Sequence, residues 1–201
     1  MREVISAVLM LILLSACSSD DSKRSNQHDL SNSDSLATAT DDTTEIDKEL
    51  LLEPGISAGK INLGQDANEI YAELGKADAG DAGMQKSVAI WYKNHDPKSY
   101  ATSIYTVRDT GDNPAARIQQ VRVTSPEFQT KDGIGVSSTL EKIKQIYRIK
   151  KVTDVTDGGE VLVMYDSMAG IAFETNIKGI CKAVIIHKSN EGLKKTSLPL
   201  R

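Results

Sequence analysis

Two short stretches of the chain carry apolar residues at helical spacing, and each begins with helix-capping chemistry. The apolar positions are Ala67, Ile70, Tyr71 and Leu74 in the first stretch, and Leu140, Ile143 and Tyr147 in the second. Such spacing places these side chains on one side of a helix. Asp66 precedes Glu69 by three positions, as Ser138 precedes Glu141, and both pairs are typical of a capping box. Gly75 is a suitable C-terminal stop for the first helix.

Each predicted helix is followed by short runs of β-forming residues separated by turn residues. The predicted strands are 88–93, 103–107, 118–124, 161–165, 170–174 and 180–187. Ile118 is out of phase with Val121 and Val123, which predicts a β-bulge in the third strand. The pattern predicts an α+β fold of two tandem repeats, about 56–126 and about 130–190. Each repeat is a helix plus an antiparallel meander of about three strands, and the repeats form one sheet with both helices on one face.

A third apolar run, residues 4–14, lies at the N-terminus and is interrupted by Ser6. As a helix it would be about 16 Å long, whereas a bilayer requires about 20 residues, so the run is too short to span one. Its length suits the hydrophobic region of a secretory signal. The run ends in Leu14-Ser15-Ala16-Cys17, and serine and aspartate residues follow at once.

Composition divides the rest of the chain into a tether and a domain. Residues 18–50 contain no aromatic residue and hold nine acidic against three basic residues, a net charge of −6, which predicts a disordered acidic tether. The whole chain carries −4 and residues 1–17 are neutral, so residues 51–201 carry +2. These residues are numerous enough for one domain with its own core, and residues 191–201 read as a basic tail. A nearly neutral domain does not favour nucleic-acid binding.

The segment Leu14-Ser15-Ala16-Cys17 resembles the lipobox of bacterial lipoproteins. The resemblance implies a signal peptide of residues 1–16, cleavage before Cys17, and lipidation of Cys17 with more than one acyl chain, which anchors a protein stably in a membrane. Ser18 in place of aspartate implies the outer membrane. The pair Asp20-Asp21 resembles a surface-export signal, so the periplasmic side and the cell surface both stay open. An ordinary signal peptide with an incidental cysteine is the alternative.

The domain as a whole resembles the β-lactamase inhibitor protein and the small lipoprotein of the outer-membrane barrel-assembly machinery. The resemblance rests on the openings "INLG" (61–64) and "IGVS" (134–137), on the short helix that follows each, and on the meanders. Ser137 stands where the first opening has Gly64, which departs from the pattern. The resemblance implies a fold that inhibits or scaffolds other proteins, and it implies no enzyme. It identifies no inhibitory loop.

The sequence offers few candidates for chemistry. It contains no H-E-x-x-H, no C-x-x-C and no phosphate-loop spacing, so we expect no catalytic residue, no cofactor and no metal. Cys181 lies in a strand that is apolar on both sides, which predicts a buried, inert thiol. If Val88 and Ile90 face the helices, Trp91 lies on the other face, where an exposed ring would anchor a partner. Packing in the core or at a dimer contact is the alternative for this residue.

The second predicted helix and the residue just after it carry a basic cluster. The cations are Lys142, Lys144 and Arg148. They form either a site for an anionic partner such as a lipid headgroup, or simply a solvated helix face.

These observations together predict a non-enzymatic outer-membrane lipoprotein that binds another cell-envelope protein through its sheet face. The competing hypotheses are an accessory module packed within an envelope complex, a ligand binder for lipid or glycan with a pocket between the helices and the sheet, and an envelope hydrolase. A hydrolase would bring carboxylates, or a serine and a histidine, together in a cleft.

Overall fold

A computed structural model describes residues 47–157 and 159–193, which form a mainly β structure with two short α-helices. The helices are α1 (Ala67–Leu74) and α2 (Leu140–Ile146). The strands are β1 (Leu52–Glu53), β2 (Ser57–Ala58), β3 (Ile61–Asn62), β4 (Ala79–Gly83), β5 (Lys86–Tyr92), β6 (Ala101–Arg108), β7 (Ala116–Val123), β8 (Lys150–Asp157), β9 (Glu160–Ser167), β10 (Ile171–Asn176) and β11 (Cys181–His187). Single turns of 3₁₀ helix cover Lys48–Leu50 and Lys93–His95.

The strands form two sheets. Strands β1, β2 and β3 make a small sheet, and the other eight make a large sheet in the order β4-β5-β6-β7-β11-β10-β9-β8. All neighbouring pairs in the large sheet are antiparallel, which confirms the predicted antiparallel sheet. The six predicted strands correspond to β5, β6, β7, β9, β10 and β11. The prediction of about three strands after each helix was too low, because it missed β4 and β8, which form the two edges of the sheet.

The helix termini follow the predicted capping chemistry with one shift. The Asp66 carboxylate accepts the Asn68 backbone N–H at 2.9 Å, and the N–H of Gly75 closes α1 on the Tyr71 carbonyl. At α2 the N-cap is Thr139, whose hydroxyl accepts the Lys142 N–H, so the prediction of Ser138 was wrong by one residue. The Ser138 hydroxyl instead accepts the Gly135 N–H in the preceding loop.

One side of the large sheet, here called the helix face, packs against both helices. Its buried residues include Ala67 and Ile70 from α1 and Ile143 from α2. Strand β7 contributes Ile118, Val121 and Val123, which share this face because the pairing with β6 shifts register beside Ile118. The predicted bulge is therefore confirmed, and it explains how an out-of-phase residue reaches the same core. Strands β10 and β11 add Ile171, Phe173, Val184 and Ile186.

The opposite side of the sheet, here called the second face, has its own buried residues. They are Val88, Ile90, Tyr105, Met164, Ala172 and Ile185. In the described part of the chain neither helix packs on this face. An ion pair shows how it is buried: Arg122 of β7 lies 2.6 Å from Asp157 of β8, although these strands stand four positions apart in the sheet. A flat sheet would separate them by about 19 Å, which is more than the two side chains span. The sheet therefore curls around its second face.

The domain begins earlier than residue 51, the start predicted from composition. The backbone N–H of Gln129 donates to the Leu50 carbonyl at 3.1 Å, and Leu52 is buried in the helix-face core. Residues 48–50, assigned to the tether, therefore belong to the folded part. The predicted signal peptide, Cys17, most of the tether and residues 194–201 of the tail lie outside the described residues.

Candidate functional site

The residues predicted as sites lie in different environments. Cys17 lies outside the described residues. Lys142 and Lys144 on α2 and Arg148 just beyond it are exposed, and the Lys142 ammonium donates to the Gly133 carbonyl at 3.0 Å. The structure therefore places the three cations in solvent on the helix side of the sheet, which fits both predicted roles, the anionic site and the solvated helix face.

Trp91 lies on the helix face, because Val88 and Ile90 occupy the second face. The conditional prediction that put Trp91 on the open face was therefore wrong. Trp91 is only 9% exposed. Its ring is tilted against the Tyr71 ring at 5.3 Å between centroids, and its Nε1 donates to the Gly75 carbonyl at 3.0 Å. Its Nε1 bond holds the end of α1 on the sheet, so the core-packing alternative is the one observed. The remaining exposed edge borders a shallow cleft beside Tyr100 and Phe128.

The sequence was expected to contain no G-x-S-x-G elbow, but residues 55–59 do read G-x-S-x-G. In hydrolases with this motif the serine sits on a sharp strand-to-helix turn. Here Ser57 lies within β2, which is paired on both sides in the small antiparallel sheet, and it is almost fully buried. Its hydroxyl donates to the Glu53 carboxylate at 3.0 Å. The motif therefore builds a hairpin and not a nucleophile elbow.

The thiol of Cys181 is fully buried in β11, which confirms the predicted burial. Burial, reinforced by the negative charge of Glu174, raises the pKa of this thiol to about 12. A thiol with so high a pKa carries almost no thiolate at neutral pH and is a poor nucleophile.

The second face contains a buried ion network. Arg122 is 3% exposed and donates through Nη2 to Glu174 at 2.9 Å and to Asp157 at 2.6 Å, while Nε lies 3.3 Å from Glu174. The Glu174 side chain is fully buried, and that of Asp157 is 33% exposed. Burial lowers the pKa of Arg122, but the two carboxylates outweigh it and raise the pKa above its usual value. Each buried charge therefore has a partner, as a low-dielectric interior requires.

A second polar pair lies near the end of β11. His187 is buried, its Nε2 lies 2.8 Å from the Asp166 carboxylate, and its Nδ1 lies 3.0 Å from the Lys188 carbonyl. The ring is therefore held between two oxygen atoms, one on each side. Asp166 also accepts the backbone N–H of Leu193 at 2.8 Å. The pair thus ties the segment that follows β11 to β9.

A cleft of about 370 Å³ opens on the second face next to this pair. Its floor is formed by the buried side chains of Tyr105, Gln120 and His187, which are cross-strand neighbours on β6, β7 and β11. Residues 188 and 191–192 form one wall. Four cations line the cleft: Lys86, Arg108, Arg117 and Lys188. Two acidic residues, Asp109 and Glu191, also line it.

Comparisons with protein-family models, with curated proteins and with solved structures found no match for this chain.

Sequence reasoning missed this cleft and the ion network. The cations of the cleft come from β5, from β6, from β7 and from the segment after β11, and no local motif groups them. The one usable signal was the presence of polar residues at buried strand positions, such as Arg122 in "QQVRV" (119–123).

Within residues 47–157 and 159–193, no helix has the length and apolar character needed to cross a bilayer. The same residues contain no group of three or more histidine, cysteine or acidic side chains that could hold a metal ion.

Proposed function

We propose that this chain is a lipid-anchored protein of the bacterial cell envelope that binds another envelope protein through the second face of its sheet. The sequence supports the anchor: an apolar run of signal-peptide length ends in Leu14-Ser15-Ala16-Cys17, and an acidic, polar spacer follows. Lipidation of Cys17 would hold the domain on a membrane while the spacer lets it reach a partner.

One observation carries the choice of the second face. In the described residues both helices pack on the opposite side, and the curl of the sheet and Leu193 bury part of the second face. The part left exposed is the cleft with its charged rim. Charged rims of this kind steer a partner and fix its orientation. Trp91 is not part of this surface.

We infer in addition that the domain consists of two tandem units, each a helix followed by four strands. The order of the large sheet supports this inference, because β4–β7 and β8–β11 are two meanders that meet at the β7–β11 pair in the centre. The helices α1 and α2 begin 73 residues apart, at Ala67 and Leu140, and contribute to the same core.

Backbone geometry at the same offset supports the two units further. Gly64 and Ser137, 73 positions apart, both have a positive φ, at 80° and 74°. The N–H of Gly64 donates to Ile118 on β7, and the N–H of Ser137 donates to Cys181 on β11. Ser137 therefore adopts the conformation that favours glycine, so its departure from the sequence pattern leaves the turn intact.

The other hypotheses fit the geometry less well. The ligand-binding hypothesis expected a pocket between the helices and the sheet, whereas the cleft described above lies on the other side of the sheet. The hydrolase hypothesis needs a base beside a nucleophile in a cleft, and the two nitrogens of His187, the histidine that lines the cleft, both contact oxygen atoms already. The clustered carboxylates of Glu174 and Asp157 share the cation of Arg122.

Site-specific photo-crosslinking in intact cells tests the proposed surface. A photoreactive residue at Lys188, which is exposed and lines the cleft, is expected to give a discrete adduct with an envelope protein. The same residue at Gln145, exposed on α2, is the matched control and is expected to give none. Adducts from position 145 alone would reject the second face. Mass spectrometry of the mature chain tests the anchor, and a first residue other than an acylated Cys17 would reject it.

A further inference from the structure

The cleft on the second face is lined by side chains from separate strands that the sheet register brings together. Lys86 pairs with Val107, and Val107 pairs with Arg117, so the three residues form one row across β5, β6 and β7. Directly paired side chains on neighbouring strands lie about 5 Å apart. Two cations therefore flank one apolar side chain at the mouth of the cleft, and Lys188 approaches from the opposite wall.

The charges that line the cleft are unbalanced. The residues that line this cleft of about 370 Å³ include four cations and two acids, a formal excess of two positive charges. Arg108 already donates from Nη1 to the Pro114 carbonyl at 3.2 Å, so the other three cations carry the argument. Asp109 is already engaged, because it accepts from Arg117 Nε at 3.0 Å and from the Ala115 N–H at 2.6 Å. In the described part of the chain neither Lys86 nor Lys188 forms an ion pair.

The floor of the cleft adds polar groups held in place. Tyr105 and Gln120 are buried there. Two contacts, to Asp166 on β9 and to the Lys188 carbonyl, hold the His187 side chain in place. A concave site with cations at the mouth and a low-dielectric floor concentrates the positive potential and attracts anions. A volume of 300 Å³ or more is also the usual size of a small-molecule pocket.

We propose that this cleft binds a small molecule that carries a phosphate group. Lys86, Lys188 and the guanidinium of Arg117 would bind the phosphate oxygens, since lysine and arginine are the side chains that bind phosphate in proteins. Val107 and the ring of Tyr105 would contact the organic part. This proposal goes beyond the binding of an envelope protein and holds whether or not such a protein docks on the same face.

Isothermal titration tests the proposal with the full chain carrying Cys17→Ser, which removes the lipid. The probes are inorganic phosphate, glucose 6-phosphate and, as the uncharged control, glucose. We expect both phosphates to bind and glucose to give no heat. Lys86→Gln combined with Lys188→Gln is expected to weaken phosphate binding at least tenfold. The matched control, Lys142→Gln with Lys144→Gln on α2, removes the same charge from the helix side and is expected to leave the affinity unchanged.

A vesicle arm distinguishes a free phosphate compound from a lipid headgroup. The site would be assigned to a headgroup if the protein binds vesicles that contain phosphatidylglycerol and phosphatidylcholine but not vesicles of phosphatidylcholine alone. Lys86→Gln/Lys188→Gln must also abolish that binding. Binding of the soluble phosphates alone would assign it to a free ligand. The proposal is overturned if neither probe binds, or if the α2 variant loses as much affinity as the cleft variant. Thermal melts of both variants establish that each is folded.

Discussion

Replacing Glu174 with glutamine should strongly destabilise the domain, because it removes the main partner of a buried cation. Glu174 is fully buried and lies 2.9 Å from the Arg122 guanidinium, which is itself almost fully buried. Removing one member of a buried ion pair costs about 3–5 kcal/mol, since the remaining charge is left without compensation. Asp157 still contacts the same Nη2 at 2.6 Å. We therefore expect the lower end, about 3 kcal/mol of the free energy of unfolding.

Urea denaturation measures this loss. With a denaturant dependence of about 2 kcal/mol per molar, a loss of about 3 kcal/mol lowers the unfolding midpoint by about 1.5 M. Asp157→Asn is the matched control, because it also neutralises one carboxylate beside Arg122 but at a third-exposed position. Solvent screens that pair, so the expected cost is about 1 kcal/mol.

A double variant distinguishes the effect of the buried charges from the effect of side-chain volume. Arg122→Met combined with Glu174→Leu removes both buried charges and keeps apolar volume, so its stability should lie much closer to that of the parent than Glu174→Gln does. The reasoning fails if Glu174→Gln shifts the midpoint no further than Asp157→Asn does. It also fails if the double variant is as unstable as the single one, since the cost would then come from packing.

Three further outcomes follow from buried polar groups. The Ser103 hydroxyl is buried without a hydrogen-bond partner, so Ser103→Ala should raise the free energy of unfolding by about 1 kcal/mol in urea melts; a loss of stability would contradict this. In the Cys17→Ser chain Cys181 is the remaining thiol, and its pKa of about 12 predicts no reaction with a thiol reagent at pH 8 until urea unfolds the domain. Burial raises the pKa of Asp166, but hydrogen bonds from His187 and the Leu193 N–H outweigh it and hold the pKa below its usual value of 3.8. A carboxylate with a lowered native pKa stabilises the fold at neutral pH, and this stabilisation is lost as the pH falls through the native pKa. Asp166→Asn should therefore reduce the fall in the free energy of unfolding at acidic pH. An unchanged fall would contradict this.

The central strands and both helices are predictable because local pattern and burial agree in them. Each helix carries one apolar stripe and a capping residue, and the six inner strands are rich in β-branched and aromatic residues. The edge strands lack such a signal. The sequence of β4 is "AGDAG" and all five residues are exposed, while "KKVTDVTD" of β8 is mostly exposed as well. Edge strands pair on one side only and bury little, so composition alone does not distinguish them from loops.

The face on which Trp91 lies was not predictable for a different reason. In β5, Val88 and Ile90 alternate with Ala89 and Trp91, so both sets of side chains are apolar. In a sheet with one solvated face the apolar set identifies the buried side. Here both sides are buried, one by the helices and the other by the curl of the sheet. Period-two alternation then carries no information about which side meets the helices.

The ion network accounts for both the curl and the failure to predict the candidate site. Arg122 lies 35 residues from Asp157 and 52 from Glu174 along the chain, so only closure of the sheet brings the three together. Replacing a buried ion pair by apolar residues is often neutral for stability, so stability alone does not explain these charges. A buried cation that requires both carboxylates permits only one closure, and our hypothesis is that the network is kept for this specificity. The cleft likewise gathers residues from β5, β6, β7 and the segment after β11, so it follows from the topology and not from any short motif.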